Sequence, residues 1–112
     1  ELQWISVIRL PDFVQKEDVD WAVAEAERKK KQDYSKVEFL TIEEGLCVQC
    51  LHIGAFDDEP ATVDLMNTFL EENGYVNDFS DDRMHHEIYL SDARRVPADR
   101  WRTVVRHPVI KV

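Results

Sequence analysis

The chain has 112 residues, 44% hydrophobic and 33% charged, a balance that belongs to a folded globular domain and not to a disordered segment. That length implies one domain with its own core and leaves no room for a second. With 23 acids against 14 Lys and Arg, the formal net charge of −9 argues against nucleic acid and anionic membrane surfaces as partners, since both need clustered cations.

Residues 2–10 read as a strand, with Trp4, Ile5, Val7 and Ile8 making both faces apolar, so it should be central or covered on both sides. Pro11 ends it. From 18 to 31 the period changes, and Val19, Ala22, Val23 and Ala26 fall on one helical face. Acids open that helix and Arg28 to Lys31 close it, the order that suits the helix dipole. Residues 37–42 and 46–53 flank Glu43-Glu44-Gly45 and predict a hairpin, with Gly45 in the left-handed conformation. A second helix is expected over 60–73, with Pro60 in its first turn, Thr62, Leu65, Met66 and Phe69 as its buried stripe, and Asn73-Gly74 as its stop. After a polar loop over 77–83, strands are expected at 85–91 and 101–107. The order β-α-β-β-α-β-β describes an α+β fold, an antiparallel sheet packed with two helices.

No apolar run nears the roughly 20 residues needed to span a bilayer, and no signal peptide is visible, so a cytoplasmic location is expected. The chain opens with Glu1 and not Met, which suggests a piece of a longer or processed protein.

Cys47-Val48-Gln49-Cys50 has C-x-x-C spacing, but inside a strand its two Cα atoms would stand about 10 Å apart, beyond the ~7 Å limit of a disulfide. Two packed strand cysteines are expected. Adjacent His85 and His86 point apart on a strand. His85 and Glu87 share a face, where His52 or His107 would complete a zinc site, but ordinary sheet histidines are the simpler reading and no metal is assigned. No phosphate loop or other cofactor motif is present, and no cofactor is expected.

Glu87 is the candidate functional residue. Strand alternation places His85, Glu87 and Tyr89 on one face, and a carboxylate between an imidazole and a phenol is either an ordinary solvated sheet face or the floor of an aromatic cleft. In a cleft it would attract a cation, or act as a general base with a raised pKa.

The stretches Glu44-Gly45-Leu46-Cys47-Val48-Gln49, His52-Ile53-Gly54-Ala55-Phe56-Asp57-Asp58-Glu59-Pro60-Ala61-Thr62, His85-His86-Glu87-Ile88-Tyr89-Leu90-Ser91-Asp92 and Val104-Val105-Arg106-His107-Pro108-Val109 resemble the GyrI-like small-molecule-binding family, and with the opening strand and first helix the resemblance covers nearly the whole chain. The resemblance implies two β-α-β-β modules about a pseudo-twofold axis, with a ligand cleft between them. Residues 46–107 would supply one complete module, and residues 2–10 the last strand of a mostly absent first module. It implies Glu87 as the functional acid and Tyr89 and Phe56 as pocket aromatics; a planar substrate would stack on Tyr89 and on Trp4 or Phe56. Related domains sense lipophilic cations in transcription regulators, and stand-alone members include hydrolases that open the cyclopropane ring of DNA-alkylating cyclopropanoids. Two readings follow: a module that binds lipophilic, aromatic, preferably cationic compounds, or a cyclopropanoid hydrolase with Glu87 as general base. A third, an acidic surface for a basic protein partner, ranks below both. The apolar first strand further predicts a homodimer, or association with a missing N-terminal module.

Overall fold

The computed structural model describes residues 3–112, in two compact units that divide after Thr41. The first contains helix α1 (Lys16–Lys30). Its first turn is closed where Gln15 N–H donates to the Asp18 carboxylate at 2.8 Å. It ends where Lys31 turns left-handed at φ 53° and donates its N–H to the Glu27 carbonyl. Glu17 and Asp18 lie in its first turn and Arg28, Lys29 and Lys30 in its last, as the charge pattern predicts.

Two expected strands do not form. Leu2 lies outside the described residues, and residues 3–10 carry no ladder; the same is true of residues 37–42. β-branched and aromatic residues make a segment competent to be a strand, but only a hydrogen-bonded neighbour makes it one. Among the described residues neither segment has one, and Trp4 and Ile8 stay 79% and 85% exposed. Gly45 does take the left-handed conformation, at φ +66°, but no hairpin forms around it.

The second unit is built on β4 (Arg102–Lys111), which pairs antiparallel with three strands. β1 (Cys47–Ile53) runs beside its residues 102–108, β3 (His86–Tyr89) beside 103–106, and β2 (Tyr75–Asn77) beside 109–111. β4 continues past the expected end at His107, because Pro108 falls between the stretches paired by β3 and β2, where a missing N–H costs no ladder bond. Cys47 and Cys50 are both free on β1, as strand cysteines.

Helix α2 (Glu59–Asn73) starts with Pro60 in its first turn and stops at Gly74, φ +77°, whose N–H returns to the Leu70 carbonyl. Its buried side chains are Thr62, Met66 and Leu70, spaced four apart. The expected stripe is therefore rotated: Leu65 and Phe69 are 67% and 53% exposed. A ridge of period four meets the sheet, and the i+3 positions fall on its flank. Met66 and Leu70 of α2 and Val105 and Val109 of β4 are the buried apolar side chains of the core. With two helices and an antiparallel sheet the fold is α+β, and no helix among the described residues is long and apolar enough to cross a membrane.

Candidate functional site

Glu87 and Tyr89 stand opposite Val105 and Thr103 of β4, the two most buried residues of the second unit. Directly paired residues share a sheet face, so both side chains emerge on the α2 side of the sheet. The chain reaches α2 through a short 3-10 turn at Phe56–Asp58. His52 clamps that turn: its Nε2–H donates to the Ala55 carbonyl at 2.8 Å, and its Nδ1 accepts from the Thr62 hydroxyl at 2.7 Å. Gly54 takes φ +133° and donates its N–H to the Trp101 carbonyl. These constraints bring Glu59, the first residue of α2, to the carboxylate of Glu87.

A donor atom from each of Glu59, His85 and Glu87 lies within 4.8 Å of the others. Glu87 Oε2 accepts the Tyr89 hydroxyl at 2.9 Å, and Glu87 Oε1 lies 3.6 Å from His85 Nε2. The other His85 nitrogen meets Nε2 of His107 at 2.7 Å. Phe56 packs on Tyr89 at 5.5 Å and on Trp101 at 4.8 Å between ring centroids, and Trp101 is held by its Nε1–H to the Val96 carbonyl. Phe56 is 41% and Tyr89 61% exposed, so this aromatic wall is open on one side. His86 points the other way, to Glu44, which also takes two contacts from Arg106.

The two carboxyls differ in environment. Burial pushes Glu59 up to about 8, and the neighbouring Glu87 charge adds to the shift. Glu87 is lowered, by its contact with Glu59 first, then by the Tyr89 hydroxyl and His85. Of the two, Glu59 is therefore the carboxyl whose surroundings favour the proton and Glu87 the one whose surroundings favour the charge. Burial and then Glu87 push Tyr89 up to about 12, so it stays a hydrogen-bond donor. His107 is lowered by burial and by repulsion from His85, which keeps it neutral. A small cation would find its donors here. His52 is not among them, because both of its nitrogens are engaged.

The structure thus brings together Glu87, Tyr89 and Phe56 of the residues singled out from sequence, while Trp4 belongs to the first unit. Sequence reasoning missed Glu59 and Trp101, and offered His107 only as a third zinc ligand beside His85 and Glu87. Glu59 reads from sequence as one more acid at a helix N-terminus, and its partner lies 28 positions later on another element. The sequence signal for His107 is an imidazole inside an apolar strand run, Val104-Val105-Arg106-His107-Pro108-Val109, where a polar ring needs a partner.

Three solved structures from Listeria innocua are similar to this chain over 91% of its length. A hydrolase is 43% identical with a TM-score of 0.85. An uncharacterized conserved protein is 45% identical with a TM-score of 0.87. A hydrolase encoded by lin2189 is 43% identical with a TM-score of 0.83. The chain spans only 50–52% of the length of those proteins. No curated protein matches it. Residues 8–110 match the GyrI-like small molecule binding domain, and on that match the chain belongs to the GyrI-like family.

Proposed function

We propose that this site hydrolyses the strained carbon ring of a planar cyclopropanoid, with Glu87 as general base. One arrangement carries the reading: two carboxyls in contact, whose surroundings push Glu59 up and Glu87 down, beside an open aromatic wall. Two of the matched Listeria proteins are hydrolases, which supports it.

Glu87 takes a proton from water as the oxygen attacks the ring methylene. The ring C–C bond breaks, and its electron pair passes into the conjugated acceptor of the substrate. That acceptor gains a proton, so the net change is addition of one water. Glu59 releases its proton to solvent and takes the one Glu87 acquired, which returns Glu87 to its ionised form, and solvent supplies the proton the acceptor gains, so the protons balance. Tyr89 and Phe56 offer ring faces on which the planar substrate stacks. The remainder of the cleft is assigned to another module or another copy, with this chain as the C-terminal portion of the working protein.

The second reading, binding without turnover, is favoured by the ionised Glu87 among aromatic rings, an arrangement that suits a flat lipophilic cation. Incubation of the intact protein with a cyclopropanoid, followed by mass for the gain of one water, separates the two. Turnover is expected, and Glu87→Gln should lower it by about 10²–10⁴. No turnover, with retained affinity for an aromatic dye cation that Glu87→Gln weakens by about 1–3 kcal/mol, would leave only the binding reading.

A further inference from the structure

His107 is a buried group to which the hydrolysis above gives no task. It lies on β4, 5% exposed, with the Phe79 ring edge-on at 5.0 Å. Its Nε2 stands 2.7 Å from Nδ1 of His85, and its own Nδ1 is buried with no hydrogen-bond partner among the described residues. On the far side of the His85 ring, Nε2 lies 3.6 Å from Glu87 Oε1. Two imidazoles therefore connect the core to the acid pair.

A nitrogen–nitrogen contact of 2.7 Å needs one hydrogen between the rings. Two neutral imidazoles carry one N–H each, so there are two arrangements. With the hydrogen on His85 Nδ1, His107 must carry its own on Nδ1, a buried N–H with no acceptor. His85 then turns a bare lone pair toward a carboxylate. With the hydrogen on His107 Nε2, the unpaired atom is only a buried lone pair, and the His85 hydrogen sits on Nε2 facing Glu87. Orphaned buried donors are rarer than orphaned acceptors, and a lone pair against a carboxylate is repulsive. The second arrangement is better at both ends.

We infer that His107 is a positioning residue: its buried Nε2–H holds His85 in the tautomer that turns its own N–H toward Glu87, adding a second donor to the side of the acid pair that Tyr89 already addresses. With His85 addressing Oε1 and Tyr89 addressing Oε2, both oxygens of Glu87 face donors. Glu59 Oε1 is buried and, among the described residues, faces none. The base is thus supported by a residue that touches neither water nor substrate. The kinetic part of this inference rests on the hydrolase reading; the tautomer does not.

Long-range ¹H–¹⁵N spectra of the intact protein at mildly alkaline pH identify which ring nitrogens carry hydrogen. The expected result is hydrogen on Nε2 and a bare Nδ1 in both His85 and His107. His107→Phe keeps the ring volume and removes the donor, so the His85 hydrogen should move partly to Nδ1. His107→Gln restores a donor near the Nε2 position and should restore the tautomer. With a cyclopropanoid as substrate, kcat should fall on the order of tenfold or more in His107→Phe, a share of the roughly 10²–10⁴ that positioned acid–base groups supply, with KM unchanged. Hydrogen on His85 Nδ1 in the unaltered protein would overturn the inference, and so would a His107→Phe variant with both tautomer and kcat intact. The measurement on the unaltered protein needs neither substrate nor variant, so the inference is decided even if His107→Phe does not fold or no turnover is seen.

Discussion

A glutamate in the first turn of a helix is ordinarily ionised, because the dipole there favours negative charge. Glu59 departs from that rule, since burial and the Glu87 carboxylate outweigh the dipole and push it up to about 8. An acid whose pKa is raised on folding binds its proton more tightly in the folded state. Its contribution is fully present below its ordinary value of 4.5 and is lost as pH rises through about 8. Stability should therefore decline across that window in the unaltered protein and decline less in Glu59→Gln, as denaturant melts at several pH values would read. Parallel slopes would mean that Glu59 is ionised throughout. The same acid pair shapes the pH–rate profile: activity should fall on the alkaline side as Glu59 loses its proton near 8, and Glu59→Gln should abolish that limb.

At the scale of elements, α2 is positioned by a few contacts of unequal weight. Leu70 is 3% exposed against the sheet, whereas Leu65 on the flank is 67% exposed. Leu70→Ala should cost about 2–5 kcal/mol, and Leu65→Ala should stay within about 0.5 kcal/mol; chemical denaturation of both variants checks this. The contrast bears on the site, because α2 carries Glu59 and a loosened helix moves one acid of the pair away from the other. β4 has the same double role. It aligns β3 along residues 103–106, and with it Glu87, and it carries His107 to the inner ring of the imidazole pair. On the sheet face shared by His86 and Arg106, Glu44 is held below the usual carboxylate range by Arg106 and then His86, an anchor between the start of β1, β3 and β4.

For the molecule as a whole, the exposed apolar residues of the first unit support the proposal that the chain associates with another chain or module. Its solved relatives are about twice as long, and in the first unit Trp4, Ile8, Phe13 and Trp21 are 69–85% exposed. Apolar surface of that kind is normally covered by another chain or module. Sedimentation at several concentrations should show a homodimer or a complex with a second module. A sharp species at 13.2 kDa at every concentration would rule that out.

The sequence by itself determined what depends on local periodicity and end signals. Pro60 and Gly74 bound α2 because ring closure and a missing Cβ act within one turn, and the charge order of α1 acts through its own dipole. Alternation in His85–Tyr89 placed Glu87 and Tyr89 on one face, because a strand has period two whatever its neighbours are. Only tertiary structure decided which strand-competent segments are strands: residues 37–42 have the composition but no ladder, while Tyr75–Asn77, too short to show a period, pairs with β4. Tertiary structure also decided which acid is Glu87's partner and which histidine lies behind His85. Glu59 and His107 are separated from them by 28 and 22 positions. A pKa set by burial and a hydrogen bond set by a shared proton arise only when the fold brings such distant residues into contact.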